Sequence, residues 1–336
     1  MAPYAPYFAT EPATYSQISP VRVTFLGNTN VLIEDGETRI LTDGYFTRPS
    51  LREAIFGATP SKEKIRTALA QAGIDKLTAV IPLHTHIDHA LDSAEVGFQS
   101  GAKLIGSGSL KNIAEGWVAF HEGKREYEDY EKWFSGAGFQ MVMIGEKVRI
   151  GQFNVTFLPT GHIPVPGAKK TIKKPLKPPA GMLRYKPAPV FALLVEHSGK
   201  KILIIGSAGK IEDEDLQYWE TVNADVVLLG IAGIGKRSSN YVEMYFRQMV
   251  DDRRAKKIVP VHWDELFEEP QKPLSPQSGF YGFLSRMKKS LEITCREVAQ
   301  QRPDVELIFL PYGEDLSIFE LSTRANAGYG NCPSQK

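Results

Sequence analysis

Three imidazoles and one carboxylate fall within six consecutive residues: His84, Thr85, His86, Ile87, Asp88 and His89. Imidazole nitrogen and carboxylate oxygen are ligands that suit zinc and related divalent ions. The stretch follows an apolar run over residues 77–83, which reads as a buried strand. If the chain stays extended beyond that strand, His84, His86 and Asp88 project to one side. His89 then falls out of step and can face a second metal. A polar loop rich in histidine by accident is the plainer alternative. The whole chain has only seven histidines, so three in six positions favour metal binding.

Ligands of this kind need rigid strand ends, and the chain supplies many strands. Residues 21–27 read as a strand, and residues 31–43 as a hairpin turned at Asp35 and Gly36. Residues 153–159 form a strand followed by Thr160, Gly161 and His162; residues 257–261 form another that runs into His262. Hairpins are expected over residues 141–158 around Gly151, and over residues 190–205 around Ser198 and Gly199. Residues 224–229, 305–310 and 316–321 add further strands. Helices are expected over residues 61–73, with Ser61 as N-cap and Gly73 as C-cap, and over 92–99, 109–120, 240–251 and 280–300. This alternation predicts an α/β (α+β) chain: two sheets face to face with helices on both outer faces, a four-layer αββα sandwich. The ligand-bearing loops then lie along one edge. His121 and His197 stand in no motif and read as surface or packing residues.

Composition sets the outer bounds. A chain of 336 residues, 42% hydrophobic and 24% charged, can bury a large core. No apolar run approaches the roughly 20 residues of a membrane helix. A net charge of +1 argues against a dedicated nucleic-acid binder and leaves a small-molecule substrate as the expected partner. Homo-oligomerisation stays open. Cys295 and Cys332 form no CxxC pair and suggest no disulfide framework, so a cytoplasmic location is expected. A mature exported protein is the alternative. Residues 1–20 form a Pro- and Tyr-rich arm, either disordered or packed through its tyrosines on the body or a second subunit. Residues 21–321 read as one domain and residues 322–336 as a loose tail.

Within that domain, residues 163–189 follow His162 directly. They carry seven Lys or Arg residues, seven prolines and no acidic residue. The prolines keep the segment out of regular structure. It reads as a basic lid that draws in an anionic substrate, with Lys169 and Lys170 as contacts. A membrane-surface or partner contact and a solvated insertion are the alternatives.

The motif at residues 84–89 resembles the metal-binding signature of the metallo-β-lactamase superfamily, and the resemblance runs over about residues 21–321. It implies the αββα fold and a dinuclear centre. His84, His86 and His162 would hold the first zinc; Asp88, His89 and His262 would hold the second. It also implies that Asp43 supports the metal loop, although a strand-end carboxylate capping the turn before Gly44 explains that residue equally well. Ser207 departs from the pattern. It stands where most hydrolytic members carry an aspartate that bridges the two metals, and a neutral hydroxyl is a poor ligand beside a carboxylate. True metallo-β-lactamases also lack the bridging aspartate, so the serine does not imply a dead enzyme. It weighs against phosphodiesterase and nuclease relatives. One or two Zn2+ ions are implied, with Mn or Fe as other candidates.

The chemistry implied is hydrolysis. Zinc lowers the pKa of bound water to about 7, and the hydroxide attacks a carbonyl carbon. Asp88 would orient that water and hold the second metal, and is the catalytic candidate. Tyr241 and Tyr312, near strand ends, could donate to an oxyanion or simply pack. The opening of the chain and its single compact domain look most like the lactonase and phospholipase-like branch, acting on an ester, lactone or amide. The alternatives are a phosphodiesterase of the same fold and a non-catalytic zinc-binding protein.

Overall fold

The computed structural model describes residues 1–10, 20–270 and 274–323. Its strands, in chain order, are β1 (Ala9–Thr10), β2 (Arg22–Phe25), β3 (Val31–Glu34), β4 (Arg39–Thr42), β5 (Ala79–Ile81), β6 (Lys103–Gly106), β7 (Phe139–Met141), β8 (Lys147–Ile150), β9 (Phe153–Pro159), β10 (Phe191–His197), β11 (Lys200–Ile205), β12 (Val226–Gly230), β13 (Lys257–Val261), β14 (Glu306–Leu307), β15 (Asp315–Ser317) and β16 (Ser322–Thr323). The α-helices are α1 (Leu51–Phe56), α2 (Lys62–Gln71), α3 (Ile87–Ala90), α4 (Ser93–Ser100), α5 (Gly108–Phe120), α6 (Tyr127–Trp133), α7 (Ser239–Phe246), α8 (Gly279–Ser285) and α9 (Met287–Cys295). None of the described helices is long and apolar enough to cross a membrane.

One seven-stranded sheet runs β15-β2-β3-β4-β5-β6-β7, and the other runs β14-β13-β12-β11-β10-β9-β8. Each is antiparallel in one half and parallel in the other. Parallel neighbours need a crossover, and helices supply it. α2 links β4 to β5, α4 links β5 to β6, and α7 links β12 to β13. Side-chain alternation makes the layers. Val31, Ile33, Ile40, Ala79, Ile81 and Ile105 point into the core shared by the two sheets. Leu32, Leu41, Val80 and Leu104 point the other way, onto Ile65 and Leu69 of α2 and Leu110 and Ile113 of α5. Against the second sheet pack Val242, Tyr245 and Phe246 of α7 and Leu291 of α9. The result is the expected four-layer αββα sandwich. The parallel strands β4, β5, β11 and β13 end at Thr42, Ile81, Ile205 and Val261, so the loops that follow them carry Asp43, the 84–89 motif, Ser207 and His262.

Several local expectations change. Residues 141–150 are not one strand of a hairpin. Met141 ends β7 in one sheet and Lys147 begins β8 in the other, with Gly145 at φ +79 in the crossing between them. Residues 280–300 do not form one helix: Arg286 takes a left-handed φ of +49 and separates α8 from α9. Helices α1 and α6 carry no strong apolar period. α1 is instead fixed by a capping box, in which Ser50 and Glu53 bond each other's backbone.

In the amino-terminal arm, Tyr4 and Tyr7 are buried, and β1 pairs with β16. The first two residues of the tail, Ser322 and Thr323, are therefore paired rather than loose; residues 11–19 of the arm and 324–336 of the tail lie outside the described residues. Cys295 is disulfide-bonded, against the expectation of no disulfide, and the chain's only other cysteine, Cys332, lies outside the described residues.

Candidate metal centre

After β5 the chain stays extended only as far as His86, whose φ of −69 and ψ of 160 place it at the N-cap of the single-turn helix α3. The turn closes with bonds from His89 N (3.1 Å) and Ala90 N (2.9 Å) to the His86 carbonyl. Asp88 is therefore not in step with His84 and His86, as an extended chain would have it. The helical turn swings Asp88 and His89 away together, and two ligand groups result. His84, His86 and His162 place ring nitrogens within 4.8 Å of one another, and Asp88, His89 and His262 do the same with a carboxylate oxygen among them. In the second group, His262 Nε2 lies 3.1 Å from Asp88 Oδ2 and 3.2 Å from His89 Nε2.

Two of the candidate ligand rings, His89 and His162, are aimed by a hydrogen bond, and the loops around them are pinned by others. Asp43 Oδ2 is 2.7 Å from His89 Nδ1, and Thr29 Oγ1 is 3.0 Å from the same nitrogen, which leaves Nε2 to face the site. The Thr29 hydroxyl also donates to Asp43, whose other oxygen accepts from Leu83 N at 2.8 Å. His162 Nδ1 donates to the Ile163 carbonyl at 2.7 Å, which turns its Nε2 inward. The amide of that same Ile163 donates to Ser207 Oγ at 3.0 Å, so the serine hydroxyl fixes the His162 loop. His262 N donates to the Asn28 carbonyl at 2.8 Å, and Asn28 N donates to Asp264 Oδ1 at 2.6 Å. Asn28, Asp43 and His262 all hold left-handed φ values of +56, +57 and +62. Such a conformation costs a non-glycine residue energy and gathers at functional sites.

The electrostatics favour ligation. Burial, followed by the neighbouring imidazoles, lowers His84 well below its ordinary pKa and takes His86 to about 3. Burial also takes His162 down to about 4. These rings are therefore neutral at physiological pH, as ligation requires. Burial opposes ionisation of Asp88, but His89 and His262 outweigh it and hold the carboxyl well below the usual range. Burial likewise opposes protonation of His89, and Asp43 and Asp88 overcome it, raising that ring. His84 provides the direct test of fit. Both of its nitrogens are buried without a hydrogen-bond partner, although nearly all buried polar atoms have one. A divalent ion shared with His86 and His162 would take up one of these two nitrogens. Five imidazoles and one carboxylate are a donor set for zinc, manganese or iron rather than calcium or magnesium.

Both groups open into one cavity of about 430 Å3. Its walls include Ile163, Val165, Pro166 and Gly167 from one end of the 163–189 segment, and Met182, Leu183, Tyr185, Lys186 and Pro187 from the other. The segment is a strap fastened along its length. Its middle bonds to α5 through Ser109 and Asn112, its later part to Ala58, and Thr85 N reaches the Pro187 carbonyl at 3.4 Å. Lys169 and Lys170 do not line the cavity. The cations that do are Lys186, Lys236 and Arg237. Tyr241 and Tyr312 are also outside the lining: Tyr241 donates to the Ala208 carbonyl at 2.8 Å, and Tyr312 bridges Phe25. Two tyrosines do line the cavity: Tyr185 from the strap, and Tyr281, delivered by α8 together with Leu284 and Ser285. No local pattern marks Tyr281. His121 and His197 are buried away from the site; His121 bonds the Trp117 carbonyl, and His197 meets Asp35 at 3.1 Å.

Comparison with known proteins agrees with this picture. No curated protein matches the chain significantly. Among solved structures, Igni18, a metallo hydrolase from Ignicoccus hospitalis, is 14% identical, with 88% of this chain and 97% of that chain covered and a TM-score of 0.51. CmlA, a diiron β-hydroxylase from Streptomyces venezuelae, is 11% identical, with 90% of this chain and 55% of that chain covered and a TM-score of 0.53. At these identities the likeness is one of fold. A family model described as a beta-lactamase superfamily domain matches residues 38–263. That span is well over half of the 336 residues and contains all six grouped ligand residues, and the chain belongs to the beta-lactamase superfamily.

Proposed function

We propose that this protein is a metal-dependent hydrolase that cleaves an ester, lactone or amide bond in a small molecule. The observation that carries the reading is the meeting of two convergent ligand groups at one cavity large enough for such a substrate. His84, His86 and His162 would hold one divalent ion, and Asp88, His89 and His262 a second. Zinc is the metal proposed. Iron belongs in the test because the diiron hydroxylase shares the fold. Such ions supply a Lewis acid that polarises a carbonyl oxygen and acidifies water.

The remaining chemistry falls to the chain. Asp88 is ionised and is the one carboxylate in the cavity wall, so it is the group that can accept a hydrogen bond from an attacking water and orient it. Tyr281, rather than Tyr241 or Tyr312, is placed to donate to an oxyanion. Burial pushes its phenol up, so it stays a donor at neutral pH. Ser207 adds no charge and acts by holding the loop of His162.

The test is initial rates of zinc-loaded and, in parallel, iron-loaded protein on an aryl ester, a lactone, a β-lactam and a bis-aryl phosphodiester, with His86→Ala as the blank. Turnover of a carbonyl probe that disappears in His86→Ala is the expected result. Turnover of the phosphodiester alone would contradict the reading, as would silence on all four from fully metallated protein.

A further inference from the structure

The cavity wall carries a pattern that metal ligation does not use. Lys186 enters from the strap, while Lys236 and Arg237 enter from the 3-10 turn after β12, so cations come from two separate parts of the chain. Asp88 is the only carboxylate among the lining residues, and it belongs to the second ligand group. No ion pair among the described residues neutralises Arg237. Its Nη2 donates to the Pro164 carbonyl at 3.1 Å, and its Nε is buried without a partner. The guanidinium is thus held in place while keeping donor capacity, which is how an arginine reads an oxyanion.

Beside these cations the wall is apolar. Ile163, Val165, Met182, Leu183 and Leu284 contribute to it. Leu183 is 79% exposed, and Phe283, the neighbour of Leu284, is 77% exposed. Large apolar side chains left open at a cavity are unusual unless something covers them.

We propose that the cavity selects small anionic amphiphiles. An oxyanion group of the ligand, such as a carboxylate or phosphate, sits against Arg237 and Lys236. An alkyl or aryl body covers Leu183, Val165 and Leu284. The hydrolase reading decides only which bond such a ligand would lose; the selection itself rests on the wall.

Calorimetric titration of the metal-loaded protein with 1-hexanesulfonate and with 1-hexanol tests this. A sulfonate is a weak metal ligand but a good acceptor for arginine, so its binding reports the wall rather than the ions. The sulfonate is expected to bind at least about tenfold more tightly than the alcohol, as a charge-assisted contact predicts. Arg237→Gln should collapse that ratio. Because Arg237 also holds Pro164, Lys236→Gln, at an exposed side chain, is the second variant and should narrow the ratio as well. Equal binding of the two ligands, or a lead that survives both substitutions, would overturn the proposal. Hexanoate and monohexyl phosphate, titrated in parallel, distinguish the two anions. The tighter of them must also lose its lead in Arg237→Gln, and failure to do so would overturn the proposal too. Sulfonate selectivity without turnover of any ester would keep this inference and defeat the hydrolase reading. Turnover without selectivity would do the reverse.

Discussion

Asp43 shows how one buried carboxylate can govern a site it need not ligate. One oxygen accepts from Leu83 N, and the other holds His89 Nδ1. Asp43→Asn keeps the shape but removes the charge that makes His89 a stronger ligand. It should weaken metal affinity by about 10- to 100-fold, read by competition with a chelating dye; unchanged affinity would show that His89 orients itself. Ser207 poses the opposite question. Its hydroxyl faces the cavity and already accepts from Ile163 N, a bond that a carboxylate can also accept. Ser207→Asp should therefore fold and bind its weaker metal more tightly, by roughly tenfold or more, because a negative charge is added between two cation sites. No gain in the same competition assay would mean that the side chain at 207 does not reach the metals.

At the scale of elements, α4 and its neighbours form the platform beneath the motif. Glu95 on α4 is 1% exposed and accepts from Tyr130 Oη at 2.6 Å, Trp117 Nε1 at 3.0 Å and Gln99 Nε2 at 2.6 Å. It thereby ties α4 to α5 and α6. Glu95→Ala would leave the Tyr130 hydroxyl and the Trp117 indole N–H buried and unpaired, and should cost about 2–4 kcal/mol in denaturant unfolding. A loss under about 0.5 kcal/mol, the usual size for a surface substitution, would contradict that role. His121 caps α5 and stacks on Tyr130 with ring centroids 4.2 Å apart. Burial lowers its pKa below the ordinary 6.5, so protonation favours the unfolded chain. Its contribution is intact above pH 6.5 and is lost as pH falls from there towards its folded value. His121→Gln should lose less stability than wild type between pH 7 and 5 in parallel unfolding curves; identical losses would refute this.

Across the whole molecule, legibility followed locality. The 84–89 motif and the strands before His162 and His262 show in the sequence because each ligand sits next to its own strand end. The sandwich shows because its strands alternate and its helices carry caps. Tyr281, Lys236 and Arg237 do not show. They reach the cavity only through the break at Arg286 and the turn after β12, and nothing local distinguishes them from surface residues. The lysines at 169 and 170 misled for the same reason: charge density is visible in a sequence, but the fastening of the strap that turns them from the cavity is not. The disulfide at Cys295 was equally hidden, because cysteine spacing alone does not reveal pairing. Alkylation of unfolded, unreduced protein followed by peptide mapping should leave Cys295 unmodified, and its modification would contradict the bond. The central claim is that two groups of three residues each hold a divalent ion. Elemental analysis of metal-loaded wild type, His86→Ala and His262→Ala, each confirmed folded, tests it most directly. The account predicts two ions per wild-type chain and a loss of about one in each variant. Wild type that retains none, or variants that match wild type, would contradict it.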